Sequence, residues 1–525
     1  MPHDRKKQMD MSLGDPLESF DFLARDAFER SLAQNHKYQL MGNNWYLKSL
    51  YEPVQDFLCA RGFKSDGWHG IPNSDLLFTG GGTTQAYSLI LKYLARDVDK
   101  QNDRLSGNHK IKPVILMPTP TYGMFFPQAR KAGIEIVKIP RDLNRGGVLE
   151  AQTVHDTIEH LNAAGKRVVA YYDSNPHNPL GLIREEEETR KLARLFNYHS
   201  HRYEQQDRGF DSVEEEDDDA EIAAEFQSAP SFEADILGSL SDRMYWGGPA
   251  SRIRMIDDMV YWGLEHKGAP KPFSFAQVDG QAYKDSFVLF GPSKAGMAAA
   301  RAGLIYAQSE DIHELKDMMM DEMYSPTGYA FHAMSGYFND DEPYKTMRKR
   351  HLDSLNAKHE FSGRFMKALI NGLSATDNVT DKDQNKMAEA LVAHAGFSEK
   401  QAKARLQTGI EGVDVVTSPQ AGFFHMLDFS ALNGRLVDNE YTRKHYIGET
   451  ELDSEAGIHH LFRALSMSAA SGTWTGMGID QMLIRVTFAL PPEDVIEFTD
   501  RLEELVSLTM TPQQVEQKKQ RKFSL

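Results

Sequence analysis

The sequence predicts an α/β protein in which a mostly parallel sheet lies between helices, with a second, smaller α/β part behind it. Three observations carry this. From about residue 75, short apolar runs alternate with helical patterns, the signature of strand–helix–strand units. The unusual motifs of the chain fall at the ends of those runs, where open α/β sheets place their ligands. After about residue 310 the pattern turns helix-rich and closes on two strand-like pieces and a last helix.

Taken in order, the first 65 residues read mainly as helix, with Phe20, Phe22, Leu23, Ala27, Phe28 and Leu32 spaced as one amphipathic face. "DLLFTGGGTTQAYSLILKYLARD" predicts a strand, a glycine turn and a helix. "KPVILMPTPTYGMFFPQARKAG" predicts a strand, a proline-punctuated loop and a helix. "KRVVAYYDSNPHNPLG" is a strand entering a loop, and "DSFVLFGPSK" is another strand. "AGFFHMLDF" and "QMLIRVTFAL" are the strand-like pieces near the end, followed by the helix "PEDVIEFTDRLEELVSL". The methionines of "DMMMDEMY" stand at helical spacing and read as core packing or a mobile lid rather than a soft-metal site. The polar "EQKKQRKFSL" reads as a frayed tail.

The bulk numbers bound the function. A chain of 525 residues suffices for two or three domains and a large core. At 41% hydrophobic and 26% charged it has a soluble globular composition, and no apolar run is long enough to span a bilayer. The first residues lead into no apolar signal core, and the single Cys59 excludes an intramolecular disulfide or a cysteine-rich metal site. These features predict a cytoplasmic protein with no metal. The net charge is −17, but residues 201–240 carry −11 of it, which leaves −6 for the rest. The run Glu214–Asp219 reads as a solvated loop, since like charges that close repel one another. No basic stripe points to nucleic acid.

Five pieces carry chemistry. Gly80-Gly-Gly-Thr-Thr-Gln85 stands between a strand and a helix; its glycines allow close backbone approach, and the helix start with Thr83 and Thr84 offers donors to a phosphate. The spacing is neither a Walker loop nor a dinucleotide fingerprint. Tyr122, just past a strand, can stack on a flat ring. Asn175-Pro-His-Asn-Pro-Leu-Gly181 has two Asn-Pro steps, each of which disfavours helix before the proline and can aim an amide. Asp258 and Tyr261 follow a short apolar stretch, and a buried aspartate needs a cation or a strong donor. Lys294, after "LFGPS", can form a Schiff base with a carbonyl and act as acid and base once displaced; Arg301 can clamp a phosphate. Taken singly, each also fits an ordinary structural role, as a tight turn, a packed ring, a helix cap or an ion-paired lysine.

In this order the five resemble the class I/II aminotransferases of fold type I, the aspartate-aminotransferase-like superfamily. The matching residues are Gly82-Thr83-Thr84, Tyr122, "NPHNPLG", Asp258-x-x-Tyr261, and Ser293-Lys294 followed by Arg301-Ala-Gly303. "SPQAGFFHML" and "LIRVTFAL" match two strands of the family's small domain, and "LGDP" and "YQLMG" match its N-terminal segments. The resemblance implies pyridoxal 5′-phosphate (PLP) as cofactor. Lys294, Asp258 and Tyr261 would be catalytic, and Gly82, Thr83, Thr84, Tyr122, Asn178, Ser293 and Arg301 would join them in holding the cofactor. Arg485, Asn178 and Tyr38 would meet the substrate. It further implies a large cofactor-binding domain over 66–324, and a small domain over 325–525 that the segment 1–65 joins. A homodimer with a shared active site follows from the same source.

Spacing agrees. Lys294 lies 36 residues after Asp258, close to the family's interval, whereas Asn178 to Asp258 is 80 residues, much longer than usual. The excess matches the acidic segment at about 200–250, which is read as an insertion. There are departures: Gly291 stands at the family's first serine, Leu180 at a common threonine, and Arg301 follows Lys294 by seven residues, commonly one more in the family. The leading expectation is transfer of an amino group from an amino acid to a 2-oxo acid. The alternatives are a PLP-dependent lyase, decarboxylase, cyclase or oxidase on the same scaffold, and a non-catalytic binding or regulatory protein. Asn43, Asn44 and Trp45 are read as pocket lining or as ordinary helix packing, and Arg252 and Arg254 are the cations nearest the Asp258 motif.

Overall fold

In a computed structural model of the chain, the described residues are 8–12, 14–33, 44–64, 70–103, 110–207, 251–278, 280–323, 326–377, 379–437, 451–511 and 513–514. The first strand, β1 (Met9–Asp10), lies apart from the main sheet. That sheet has seven strands among the described residues: β2 (Leu76–Thr79), β3 (Pro113–Thr119), β4 (Glu135–Pro140), β5 (Arg167–Ser174), β6 (Arg254–Asp258), β7 (Ser286–Phe290) and β8 (Gly303–Tyr306). Their order is β2-β8-β7-β6-β5-β3-β4. β8 runs against both its neighbours and the other pairs are parallel, so six strands end at one edge.

Strands β6 and β7 are buried throughout, as a parallel sheet covered on both faces requires. The period of two sorts their neighbours. Phe287 and Leu289 of β7 pack with helices α3 (Gly82–Asn102), α4 (Phe125–Lys131) and α7 (Ser309–Met323). Val288 and Phe290 pack instead with α1 (Asp21–Ala33), α2 (Asn44–Cys59) and α8 (Gly328–Tyr337). Val114, Leu116 and Tyr171 of the far strands pack with α5 (Ala151–Ala163) and α6 (Glu186–Asp207).

A smaller antiparallel sheet joins β9 (Asp414–Val415), β10 (Phe424–Asp428), β13 (Ala470–Ser471) and β14 (Leu483–Thr487) in the order β13-β14-β10-β9. Its core is closed by α9 (Tyr344–Asn371), α10 (Asp381–Ala395), α11 (Glu399–Gln407), α12 (Glu455–Ala464) and α13 (Pro492–Ser507). Capping boxes, Thr380 with Asp383 and Ser398 with Gln401, start α10 and α11. At one edge β11 (Leu436–Val437) pairs with β15 (Thr509–Met510). β1 pairs in parallel with β12 (Met467–Ser468), and Met9 and Met11 enter this second core.

The N-terminal segment therefore divides: its tip packs with the second core, and α1 and α2 pack on the large sheet. Several readings are corrected. Leu23 and Ala27 are buried, but Phe28 and Leu32 are 56% and 55% exposed, so the apolar face is narrower than its spacing predicts. The stretch before Asp258 is strand β6, and β4 and β8 add strands that the pattern does not single out. Arg254 is fully buried against Asp311 and Arg252 pairs with Asp285, so each is committed to a structural ion pair. Helix α6 continues to Asp207 with Glu204 buried, and Glu214–Asp219 lie outside the described residues. No helix among the described residues is long and apolar enough to cross a membrane.

Candidate active site

The six co-directional strands bring their carboxyl ends together, and the motifs emerge there. β7 runs into the tight turn Pro292–Ala295, which carries Ser293 and Lys294. Lys294 Nζ donates to the Gly14 carbonyl at 2.6 Å and lies 5.9 Å from the centroid of the Tyr261 ring. Burial and then the charge of Arg485 push its amine down to about 8, against the opposing pull of Asp15 and Asp258. Asp258 ends β6, buried; it accepts from Tyr172 Oη at 3.2 Å and from the Val260 N–H at 3.2 Å. Burial raises its carboxyl to about 7 despite those two donors.

The loop after β5 aims Asn178. Its N–H donates to Ser174 Oγ at 2.9 Å, and its Nδ2 donates to Tyr261 Oη at 3.2 Å. Arg485, from β14 of the other sheet, donates to Asn178 Oδ1 at 3.4 Å and to the Ser12 carbonyl at 2.7 Å. Its guanidinium lies 4.2 Å from the centroid of Phe424 and 4.9 Å from that of Trp474. Its Nε is buried without a hydrogen-bond partner. Tyr122 stands edge-on to Trp474, centroids 5.3 Å apart.

Beside these, α3 begins at Gly82, and its first turn leaves the N–H groups of Thr83 and Thr84 without intrahelical partners. Arg301, in a left-handed turn at φ +48°, donates from Nη2 to the Gly81 carbonyl at 3.1 Å. Its own carbonyl accepts from the Gly82 N–H at 2.8 Å. The seven-residue step thus still returns the arginine to the helix start. Gly291 faces the same place: a Cβ there would stand 3.0 Å from the Ala302 carbonyl and 3.7 Å from Thr83, which leaves little room for the serine it replaces.

A cavity of about 600 Å³ is lined by Lys294, Arg485, Asn178, Tyr122, Tyr261 and Trp474. Asp258, Gly82, Thr83, Thr84, Ser293 and Arg301 do not line it. Tyr38 and Asn43 lie outside the described residues, as do the side chains of Asn44 and Trp45.

The family model described as aminotransferase class I and II matches residues 7–203. No curated protein matches the sequence. Among solved structures, an aspartate aminotransferase from Thermus thermophilus with maleate is 16% identical, with a TM-score of 0.59 over 95% of this chain and 91% of that one. An aspartate aminotransferase from Rhizobium meliloti is 13% identical, with a TM-score of 0.61 over 96% of this chain and 92% of that one. An aromatic aminotransferase from Pyrococcus horikoshii is 14% identical, with a TM-score of 0.59 over 96% of each chain.

The fold is that of the class I/II aminotransferases.

In this aminotransferase fold a buried ionic network stiffens the strand ends behind the cavity. Arg184 donates to Asp173 at 2.9 Å and to Asp257 at 2.8 Å, and Arg141 donates to Asp173 at 2.8 Å. Both carboxylates are fully desolvated but paired, which is the condition for burying them. Sequence reasoning did not single out Trp474, Tyr172, Ser12, His459 or Arg463, of which all but Tyr172 line the cavity. For Trp474 a signal existed, the glycine-rich "SGTWTGMG" before the arginine strand. Ser12 and Gly14 act through backbone carbonyls, which leave no side-chain signature.

Proposed function

We propose that the chain is a PLP-dependent aminotransferase that moves an amino group from an amino acid to a 2-oxo acid, with Lys294 carrying the cofactor. One observation supports this above the others: Lys294 and Arg485 face a single cavity, and a buried, nearly uncompensated carboxylate, Asp258, stands behind the lysine. The residues present fit the cofactor. Asp258 has two neutral donors, and the nearby charge of Lys294 does not offset its burial, so a protonated ring nitrogen would supply the missing counter-charge. The α3 start with Arg301 suits a phosphate, Asn178 and Tyr261 suit a ring oxygen, and Tyr122 offers a flat face.

When bound, the cofactor supplies an aldehyde to carry the amino group and a ring that withdraws electrons from the substrate α-carbon. Arg485 binds the substrate carboxylate, which takes the place of the Ser12 carbonyl on its Nη2. Phe424 and Trp474 hold the guanidinium plane and keep water from it. Lys294 Nζ, with its affinity for protons brought near neutrality, would take the α-proton and deliver it two atoms along, to the former aldehyde carbon. Asp258 holds the proton on the ring nitrogen.

The test is a half-reaction. Single amino acids are added to the PLP-loaded protein without an oxo-acid acceptor, and absorbance and released oxo acid are followed. About one equivalent of oxo acid, with the amino form of the cofactor left behind, is the expected result. Continuous release of ammonia or carbon dioxide would replace transfer with a lyase, decarboxylase or oxidase reaction. Covalent retention of the cofactor by Lys294→Ala after borohydride reduction and denaturation would overturn the role given to Lys294. The resemblance also carries a homodimer with a shared site, which light scattering tests.

A further inference from the structure

A second cluster of ligating side chains lies away from this cavity, between the helices that cover the β3–β5 face. His155 and Glu159 stand one turn apart on α5 and so share a side of it. His199 faces them from α6. His155 Nδ1 and His199 Nε2 are 3.1 Å apart, and His199 Nδ1 is 3.5 Å from Glu159 Oε1. One ligand atom from each of the three residues lies within 4.8 Å of the others.

His199 is fully buried, and its Nδ1 has no hydrogen-bond partner. A buried ring nitrogen whose nearest polar atom is a carboxylate oxygen at 3.5 Å keeps part of its desolvation cost. Two imidazoles and a carboxylate form the donor set that zinc accepts. Zinc–nitrogen bonds of about 2.0–2.1 Å place two nitrogens of a tetrahedral site about 3.3 Å apart, close to the 3.1 Å between His155 Nδ1 and His199 Nε2, which makes Nε2 the His199 ligand and leaves its Nδ1 toward Glu159. We propose that His155, Glu159 and His199 form a zinc-type divalent metal site that the sequence did not announce, with a water in the fourth position.

One group opposes it. Arg202 pairs with Glu159 Oε1 and lies over Tyr198 at 5.6 Å from the ring centroid. Glu159 must therefore keep one oxygen on the arginine and turn the other to the metal, which lowers the affinity below that of a site free of cations. The role that follows is structural. The metal bolts α5 to α6 two turns before α6 ends at Asp207, the residue to which Arg167 and Ser251 are tied. None of the three ligands lines the cavity of the candidate active site.

The experiment uses the full, untagged, PLP-loaded chain after chelation and dialysis. Zinc is titrated by calorimetry and cobalt(II) is added as a visible probe of four-coordinate geometry. The expected result is about one equivalent bound per chain, an intense cobalt spectrum and a higher melting temperature with zinc. His155→Gln and Glu159→Gln, at half-buried positions, should each weaken binding by about tenfold or more and remove the cobalt spectrum. Both variants should keep the metal-free melting temperature of the parent. A variant neutralising Glu214–Asp219 should bind as the parent does. No uptake with zinc and protein at equimolar, tens-of-micromolar concentration would overturn the site, as would uptake unchanged in His155→Gln. Either result would leave a His155–His199 hydrogen bond beside Glu159 in its place.

Discussion

Asp258 shows what a single residue costs and what it signals. Its carboxyl, near 7 in the folded chain, ordinarily titrates near 3.8. Between these values the folded protein binds a proton that the unfolded chain has released, so folding weakens as pH rises through that window. The full penalty is about 4 kcal/mol once the carboxylate is ionised. Asp258→Asn removes it. The cofactor-free variant should melt above the wild type at about pH 8, with the difference fading below about pH 4, as calorimetry across pH can measure. A wild type that melts higher at pH 8 would mean that the carboxylate already has its cation, and its pairing with a ring nitrogen would fail. Arg485 signals function differently, by an unpartnered Nε and two aromatic walls. Arg485→Ala should raise KM for the amino-acid donor by about 10- to 100-fold, with a smaller fall in kcat, because a charge-assisted contact made in the ground state is lost.

At the scale of elements, the loop Asn175–Gly181 joins the two sheets. The Gly181 carbonyl accepts from the N–H groups of Gln420 at 2.8 Å and Ala421 at 2.9 Å. Gly181 has φ +66°, and a Cβ on it would stand 2.4 Å from Pro419 and 2.6 Å from the Ala421 carbonyl. Gly181→Ala should cost about 1–2 kcal/mol from the left-handed backbone alone and more from the clash. The expected outcome is a lower melting temperature together with a raised KM, since Asn178, which meets Arg485, rides on the same loop. An unchanged melting temperature would show that the loop is not pinned between the sheets. The strand–turn–helix units around this loop were legible because buried parallel strands are continuous apolar runs that stop at glycine or proline. β6 was harder to see, since Asp257 and Asp258 break its apolar run and are tolerated only because Arg184 and Tyr172 meet them. Phe28 and Leu32 misled for another reason: periodicity tells which side of a helix is apolar, not whether anything covers it. The Lys294, Asn178 and Asp258 cluster was readable from residue type and order. The carbonyls of Ser12 and Gly14 were not, because any residue carries a carbonyl.

Over the whole molecule, the two cores meet where Tyr261 enters the packing of the smaller sheet, and buried histidines stand in and behind that junction. His425 is fully desolvated, and its Nε2 meets the Gly363 carbonyl at 3.0 Å. His359 lies 4.9 Å from Phe423, centroid to centroid, with neither ring nitrogen hydrogen-bonded. His177 is buried in the loop after β5. Burial pushes all three down to about 3, so the folded chain holds them neutral. The unfolded chain protonates them below about pH 6.5. Their contribution is thus present above that pH and is lost as pH falls from 6.5 toward 3. Asp258 and other buried carboxylates such as Asp285 and Glu265 act in the opposite sense, while His199 and His332, pushed by burial down to about 3 and about 4, add to the three. At about 1.4 kcal/mol per pH unit for each ring, the loss reaches the whole stability of an ordinary fold before pH 3. We expect cooperative acid unfolding between about pH 6 and pH 4, followed by far-ultraviolet circular dichroism and tryptophan fluorescence. His359→Leu replaces a ring that nothing solvates by a side chain that cannot be protonated, and it should move the midpoint to lower pH. A midpoint that stays in place would show that His359 takes up its proton in the folded chain, through an opening of the junction between the two cores.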